Sequence, residues 1–261
     1  MKIGIYYKTK TEYHIETVNA FIELLKQNAV GYEISETAKF GDIDAIVVFG
    51  GDGTLLNVVG EAVEKDVPVY SVKCSDRGFL TSFNDKQLPE LLQCILTEKA
   101  YKEVSLVGVR YKDKVYFGLN DIVIERVMGE SELSNALRCN VYLNDKIVGN
   151  YIFDGAIVAT PIGSTAYSLS AGGCILDDSL DAFVFTPINA HVCSNKSIVF
   201  KDSATLKICL TDRGNASLYI DGIKKQTLKN GDEIIVTKYV KSIKISDNYS
   251  NIYYKLRNER G

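Results

Sequence analysis

The chain lacks the two short signatures by which nucleotide-binding proteins are most often recognised. No G-x-x-x-x-G-K-[ST] occurs in its 261 residues, and the first apolar strand, residues 2–7, is not followed by G-x-G-x-x-G. An apolar leader is also missing, as is any apolar run near the roughly 20 residues that a membrane helix needs. We therefore expect neither a P-loop ATPase nor a dehydrogenase, and we expect a cytoplasmic protein with no membrane partner.

Basic stretches and metal-binding cysteine patterns are missing as well. The 30 Lys and Arg residues are outnumbered by 33 Asp and Glu residues, which gives a net charge of -3 and argues against a nucleic-acid partner. The six cysteines form no C-x-x-C, and only two histidines accompany them. We interpret the cysteines as reduced thiols, and no protein side chain is assigned as a metal ligand.

A glycine-rich loop is the most informative feature that is present. Residues 50–54, Gly-Gly-Asp-Gly-Thr, follow the apolar run 45–49, which predicts a buried parallel strand. We expect Thr54 to cap the helix that follows, whose apolar face is Leu55, Leu56, Val59, Ala62 and Val63. An open glycine backbone at a helix start favours a polyphosphate, although a sharp turn alone is the competing interpretation. Asp52 would repel phosphate unless it faces a divalent metal or accepts a proton from a hydroxyl, which is typical of kinases.

Two further clusters are rich in hydrogen-bonding side chains. Asp154-Gly155 precedes residues 160–173, T-P-I-G-S-T-A-Y-S-L-S-A-G-G, where Tyr167 offers a ring for a base and the hydroxyls offer neutral donors. Asn120 and Asp121 stand side by side in a strand-like run, a pair able to hold a ribose diol. A flexible Ser/Gly loop and a plain Asn-Asp turn are the respective alternatives.

The hydrophobic period changes near residue 100. Before it, strand and helix patterns alternate, with a helical stripe at Ile15, Val18, Ile22 and Leu25, a strand over 67–72 and a helix over 88–96. After it, apolar residues recur every second position, as in residues 137–143, and Asn144-Asp145 predicts a hairpin turn. We predict a Rossmann-like parallel α/β domain, residues 1–98 with a returning tail near 247–261, and a β-sandwich-like domain, residues 99–246.

Taken together, the clusters resemble the NAD kinase family. In that family G-G-D-G-T, an N-[ED] pair and a D-G…T-P-x-G-S-T-A-Y-S-L-S-A-G-G segment occur in this order, and the likeness continues through residues 78–81 and 186–188 to Asp221-Gly222. The resemblance implies transfer of the terminal phosphoryl group of ATP, or of another triphosphate or polyphosphate, to the 2′-hydroxyl of the adenosine ribose of NAD. It also implies a divalent metal ion, with Mg²⁺ favoured, and a homodimer or homotetramer.

The resemblance also assigns roles to individual positions. Asp52 is implied to be the catalytic group at the 2′-hydroxyl. The implied ATP phosphate contacts are Gly51, Gly53 and Thr54. The implied NAD contacts are Asp52, Gly53, Phe79, Asn120, Asp121, Asp154, Thr165, Ala166, Tyr167 and Ser170.

Some positions depart from the family pattern. Asn57 stands where many relatives have a basic residue, and either Lys73 or Arg77 would then supply the charge. Asp221-Gly222 is most simply a hairpin turn, and only the resemblance makes it a candidate site residue. Two other functions stay open: a lipid or sugar kinase that shares G-G-D-G, and a dinucleotide sensor without catalytic activity.

Overall fold

The computed structural model describes residues 1–8, 11–74, 80–127, 136–191, 196–211 and 215–247. These residues form two compact units, one with Met1–Val104 and the chain from Ser242, the other with Ser105–Lys241. Within the described ranges, no helix is both long and apolar enough to cross a membrane.

Helices and strands alternate in the first third of the chain, and strands dominate the rest. The elements up to residue 96 are β1 (Lys2–Tyr7), α1 (Glu12–Gln27), β2 (Gly31–Ser35), β3 (Ala45–Gly50), α2 (Asp52–Leu56), α3 (Val59–Lys65), β4 (Val69–Lys73), a 3-10 turn (Asp85–Gln87) and α4 (Leu88–Leu96). Those that follow are β5 (Tyr101–Tyr111), β6 (Lys114–Gly118), β7 (Asp121–Arg126), β8 (Leu137–Leu143), β9 (Lys146–Phe153), β10 (Gly155–Ala159), a 3-10 turn (Ile162–Thr165), α5 (Tyr167–Ser170), β11 (Ala182–Ile188), β12 (Ile198–Lys201), β13 (Leu206–Leu210), β14 (Ala216–Ile220), β15 (Ile223–Leu228) and β16 (Glu233–Ser246).

The first unit is built on a parallel sheet with the strand order β2-β1-β3-β4. Near its end, β16 adds to this sheet, where Ile245 pairs in parallel with Val69. The chain leaves β1 toward one edge and β3 toward the other, and right-handed crossovers then lie on opposite faces of the sheet. The strand order reverses between β1 and β3, and open α/β sheets bind ligands at the carboxyl ends of the strands at such a point.

Three local predictions for this unit were wrong. Gly51, not Thr54, is the N-cap of α2, and the helix expected after the glycine loop is two short helices with a break at Asn57 and Val58. Ile15, expected in the buried stripe of α1, is 41% exposed. The buried face of that helix takes in His14, whose ring hydrogen-bonds the hydroxyl of the N-cap Thr11.

The second unit is a sandwich of two sheets. One sheet has the strand order β12-β11-β10-β7-β14-β15 and is antiparallel throughout. In the other, β8 lies between β9 and β13, β13 also pairs with β16, and β5 pairs with β6 and β16. One apolar core takes side chains from both sheets, among them Phe153, Phe185 and Ile234. The predicted combination of a parallel α/β fold and a β-sandwich-like fold is confirmed.

Alternation along β7 assigns side chains to two faces of the first of these sheets. Ile122 and Ile124 belong to the core of the sandwich, whereas Val123 packs in a smaller cluster on the opposite face. Asp121 and Glu125 share that opposite face with Val123. The carboxylates therefore point away from the sandwich core, toward the segment 160–176.

Candidate active site

The glycine loop begins where the fully buried strand β3 ends, at the carboxyl edge of the parallel sheet. Gly50 has φ +153°, and a Cβ at this position would lie 2.6 Å from the hydroxyl of Thr54, so a side chain is excluded. A Cβ on Gly53 would instead meet no atom within 4 Å. The fold itself thus requires glycine at 50, while the open surface at 53 is left for a ligand to approach the backbone.

Asp52 is held in place by the backbone of a neighbouring segment. Its Oδ1 accepts a hydrogen bond of 2.8 Å from the N–H of Leu80. Because Asp52 also starts helix α2, both its backbone and its side chain are fixed. A carboxylate oriented in this way can orient a hydroxyl group that approaches it.

A basic side chain borders the loop. Lys73, the last residue of β4, pairs in parallel register with Gly50. Asn57 turns its amide back on the loop, where Nδ2 donates to the carbonyl of Gly53 at 2.8 Å. Asn57 therefore closes the end of α2 and supplies no charge. Arg77 lies outside the described residues, so the choice between Lys73 and Arg77 stays a prediction.

In the second unit, a pocket of about 380 Å³ opens on the outward face of β7 and β14. It includes the predicted pair Asn120 and Asp121 and the predicted contacts Ala166 and Tyr167. Its lining residues are Asn120, Asp121, Val123, Glu125, Ala166, Tyr167, Tyr219, Asp221 and Gly222. This lining combines two aromatic rings and three carboxylates with no lysine or arginine. Such a wall attracts hydrogen-bond donors and apolar rings, and it repels phosphate.

Burial dominates the electrostatics of this pocket. Asp121 is 4% exposed, and desolvation together with the charge of Asp221 raises its pKa to about 7. Burial also raises the pKa of Asp221, and hydrogen bonds from three backbone N–H groups partly offset the effect. The pKa of the Tyr167 hydroxyl is raised by burial and by the nearby Glu125 and Asp121. Near neutral pH the carboxyl group of Asp121 is therefore close to its pKa, and hydrogen bonds donated by a bound ligand would favour its charged form.

The two sides of the predicted Thr-Ala-Tyr segment differ. Ala166 and Tyr167 line the pocket, with Tyr167 40% exposed at the first position of α5. The Thr165 hydroxyl donates to the carbonyl of Ile162 at 3.2 Å, and Ser170 ends the same short helix. Thr165 and Ser170 flank the pocket along the chain and are not among its lining residues.

Asp154 lies apart from this pocket. It precedes β10, whose Gly155 pairs with Glu125 and whose Ala159 pairs with Asp121, so Asp154 and Asp121 are about 16 Å apart along the strand direction. Its carboxylate pairs with Arg126 at 3.1 Å and accepts from Asn189 at 3.1 Å. Phe79 falls outside the described residues.

Sequence reasoning did not assign the pocket residues Glu125 and Tyr219, and it named Asp221 only through the family resemblance. Glu125 and Tyr219 follow from the period of two once their strands are paired, since Tyr219 lies opposite Val123. Asp221 occupies a hairpin turn with φ +46°, as the Asp-Gly pattern indicates, yet it also lines the pocket, and its carboxylate accepts hydrogen bonds from the backbone N–H groups of residues 119–121. The register between β7 and β14 supplies this information, and no local pattern does.

The described residues contain no group of three or more His, Cys, Asp or Glu side chains arranged to hold a metal ion. Phosphoryl transfer generally uses a divalent ion, which would neutralise charge on the donor phosphates. The open backbone at Gly53 is compatible with an ion that arrives with those phosphates.

Comparison with known proteins follows the same division of the chain. Residues 5–101 match the family model of the ATP-NAD kinase N-terminal domain, and residues 119–247 match that of the ATP-NAD kinase C-terminal domain. The NAD kinase of Caldicellulosiruptor bescii is 33% identical over 85% of this chain and 84% of its own length. The NAD kinase of Caldicellulosiruptor saccharolyticus is 30% identical over 98% of both chains.

A solved structure agrees at the level of the fold. The crystal structure of yeast NADH kinase complexed with NADH superposes with a TM-score of 0.84 at 24% identity, covering 99% of this chain and 86% of that one. On the sequence matches, which span nearly the whole chain, this protein belongs to the NAD kinase family.

Proposed function

We propose that the protein is an NAD kinase that transfers the terminal phosphoryl group of ATP to the 2′-hydroxyl of the adenosine ribose of NAD, giving NADP. The observation that carries the proposal is Asp52, fixed by the N–H of Leu80 on an open glycine turn at the carboxyl edge of the parallel sheet. Membership of the family supplies the identity of the two substrates.

The residues divide between donor and acceptor. Gly51, Gly53 and Thr54 would contact the ATP phosphates through the backbone and hydroxyl at the start of α2. The proposed NAD contacts are Asp52, Gly53, Phe79, Asn120, Asp121, Asp154, Thr165, Ala166, Tyr167 and Ser170. The carboxylate-rich pocket supports binding of the uncharged nucleoside part of NAD, because a phosphate would be repelled there.

Asp52 would contact the 2′-hydroxyl and orient its oxygen toward the γ-phosphorus. Phosphoryl transfer passes through a loose transition state, so positioning contributes more to the rate than removal of the hydroxyl proton. When bound with the donor, a divalent ion, Mg²⁺ in this proposal, neutralises charge on the phosphate oxygens. As the new P–O bond forms, the bond between the γ-phosphorus and the β–γ bridging oxygen breaks and ADP leaves, while the hydroxyl proton passes to Asp52 or to water.

The test is an NADP-forming assay with purified protein, Mg²⁺, and ATP or polyphosphate as donor, run with NAD and with NADH. Asp52→Asn should reduce kcat by about a hundredfold or more and leave NAD affinity within about twofold. Asp66→Asn is a matched control, since Asp66 is an exposed aspartate at the end of α3. Comparable NADP formation by Asp52→Asn would remove the catalytic assignment, and wild-type NAD binding without turnover would favour a sensor.

The pocket argues against a lipid substrate. Three carboxylates and a volume of about 380 Å³ give no apolar channel for an acyl chain within the described residues that line it. We also propose a homodimer or homotetramer, which light scattering would detect as a multiple of the 28.9 kDa chain.

A further inference from the structure

The backbone at Asn120 and Asp121 is held from two sides by residues distant in sequence. From one side, the Asp221 carboxylate accepts hydrogen bonds from Leu119 N–H at 2.8 Å, Asn120 N–H at 2.8 Å and Asp121 N–H at 3.1 Å. In return, Asp221 donates its own N–H to the carbonyl of Asp121 at 3.1 Å. One side chain thereby fixes three successive peptide groups of the turn that enters β7.

The opposite side is held by Thr160, which is 1% exposed. Its hydroxyl donates to the carbonyl of Leu119 at 2.6 Å, and its N–H donates to the carbonyl of Asn120 at 2.9 Å. The same hydroxyl accepts the N–H of Gly163 at 3.0 Å. Thr160 therefore couples the turn to the segment that carries Ala166 and Tyr167.

The close packing leaves this turn little freedom. A Cβ on Gly163 would lie 1.9 Å from the carbonyl oxygen of Asn120, so the two backbones are in direct contact. Hydrogen bonds to a buried carboxylate are among the stronger ones in proteins, and buried backbone groups that lose a partner are costly. Both Asn120 and Asp121, the residues that this turn holds in place, line the pocket. A turn that served folding alone would not need to present two polar residues to a pocket.

We propose that Asp221 and Thr160 are positioning residues that set the Asn120–Asp121 pair for binding of NAD. This inference rests on the proposed NAD kinase activity. Neither residue is given a direct part in phosphoryl transfer. Substituting either residue is expected to weaken binding of NAD and to leave binding of ATP unaffected. The reason is that both residues act on the turn in the second unit and not on the glycine loop.

Asp221→Asn tests the first half of the proposal. Asparagine tolerates the positive φ and keeps the shape, but its amide places a donor where a backbone N–H now donates. Asp145→Asn is the matched control, since Asp145 is an aspartate with φ +63° in another hairpin turn, with a side chain 96% exposed. Thr160→Val removes the hydroxyl at constant shape, and Thr160→Ser restores it.

Steady-state kinetics with each substrate varied gives KM for NAD and for ATP separately, and calorimetry gives the Kd for NAD without a donor. Asp221→Asn and Thr160→Val should raise both the KM and the Kd for NAD by about tenfold or more, with KM for ATP within about twofold. Asp145→Asn and Thr160→Ser should match the wild type.

The inference is overturned if Asp221→Asn and Thr160→Val leave the affinity for NAD unchanged, or if they weaken the binding of NAD and ATP equally. It is also overturned if Thr160→Ser behaves like Thr160→Val. A wild-type protein that binds NAD but forms no NADP refutes the proposed activity, and the calorimetric Kd values still decide the positioning role. If the wild type binds no NAD, both proposals fail. Circular dichroism verifies folding, and if Asp221→Asn does not fold, the two Thr160 variants decide.

Discussion

Replacing Asp121 by asparagine should stabilise the protein while impairing its proposed substrate binding. Asp121 is 4% exposed, and burial beside Asp221 raises its pKa from the ordinary 3.8 to about 7. Between about pH 4 and pH 7 the native protein keeps a proton that the unfolded chain has released, so native stability falls as pH rises through this range. Above about pH 7 both states have lost the proton, and the loss of stability caused by burying the charged carboxylate no longer changes with pH.

The size of the penalty follows from the two pKa values. A difference of about 3 between them corresponds to about 4 kcal/mol, at 1.36 kcal/mol for each pKa unit. The substituted asparagine carries no charge at any pH, so Asp121→Asn should raise the free energy of unfolding by up to about 4 kcal/mol near pH 8. The gain should be less than about 1 kcal/mol near pH 4, where the native state keeps its proton and the unfolded chain has lost only about half of its own.

Chemical denaturation followed by circular dichroism, at several pH values between these limits, measures the effect. Asp145→Asn is again the control, since its side chain is 96% exposed and its replacement should change stability by less than about 0.5 kcal/mol at every pH. A gain for Asp121→Asn that is independent of pH, or a loss near pH 8, would refute the reasoning. NAD affinity should fall in the same variant if the proposed acceptor contact is correct.

The glycine loop and its surroundings yield further predictions. Gly53→Ala and Gly60→Ala both place a methyl group in open space on a helix, so each should raise stability by about 0.5–1 kcal/mol in thermal unfolding, but only Gly53→Ala should raise KM for ATP. Gly163→Ala should cost about 1–3 kcal/mol of stability and raise the Kd for NAD, because its Cβ would lie 1.9 Å from the carbonyl oxygen of Asn120. Either Lys73→Met or Arg77→Ala should raise KM for a nucleotide, and unchanged constants for both substrates in both variants would remove that idea.

The parts of the fold that depend on local periodicity were predictable. Residues 45–50 are buried throughout, as expected for a central parallel strand, and Pro89 lies at the start of the predicted helix α4. The alternation over 137–143 and the turn at Asn144 and Asp145 also occur as predicted. In these segments the local pattern and the tertiary environment agree.

Errors occurred where tertiary contacts outweigh local pattern. The apolar spacing after Gly53 fits one long helix, but the helix is interrupted at Asn57, whose side-chain amide donates a hydrogen bond to the carbonyl of Gly53. Such side-chain to backbone bonds compete with a continuing helix. The burial of His14 likewise depends on a specific contact, since the hydroxyl of the capping Thr11 hydrogen-bonds one of its ring nitrogens.

The candidate pocket was predictable only in part, for a related reason. Asn120, Asp121 and Tyr167 belong to recognisable motifs. Asp221 follows Asn120 by about a hundred residues, and its Asp-Gly sequence is already accounted for by a hairpin turn. Placing Asp221 requires the pairing of Ile220 with Ile122, which sets two strand ends side by side. Pairing between distant strands depends on the whole core, so it cannot be derived from either strand alone.

The cost of burying Asp121 gives the pocket a direct connection to ligand binding. A carboxylate that is desolvated beside Asp221 gains most when a ligand brings hydroxyl or amino donors to it, since those bonds replace the water lost on folding. The backbone bonds to Asp221 and Thr160 prevent the turn from relaxing toward solvent, and they thereby keep Asp121 in a state that binding improves.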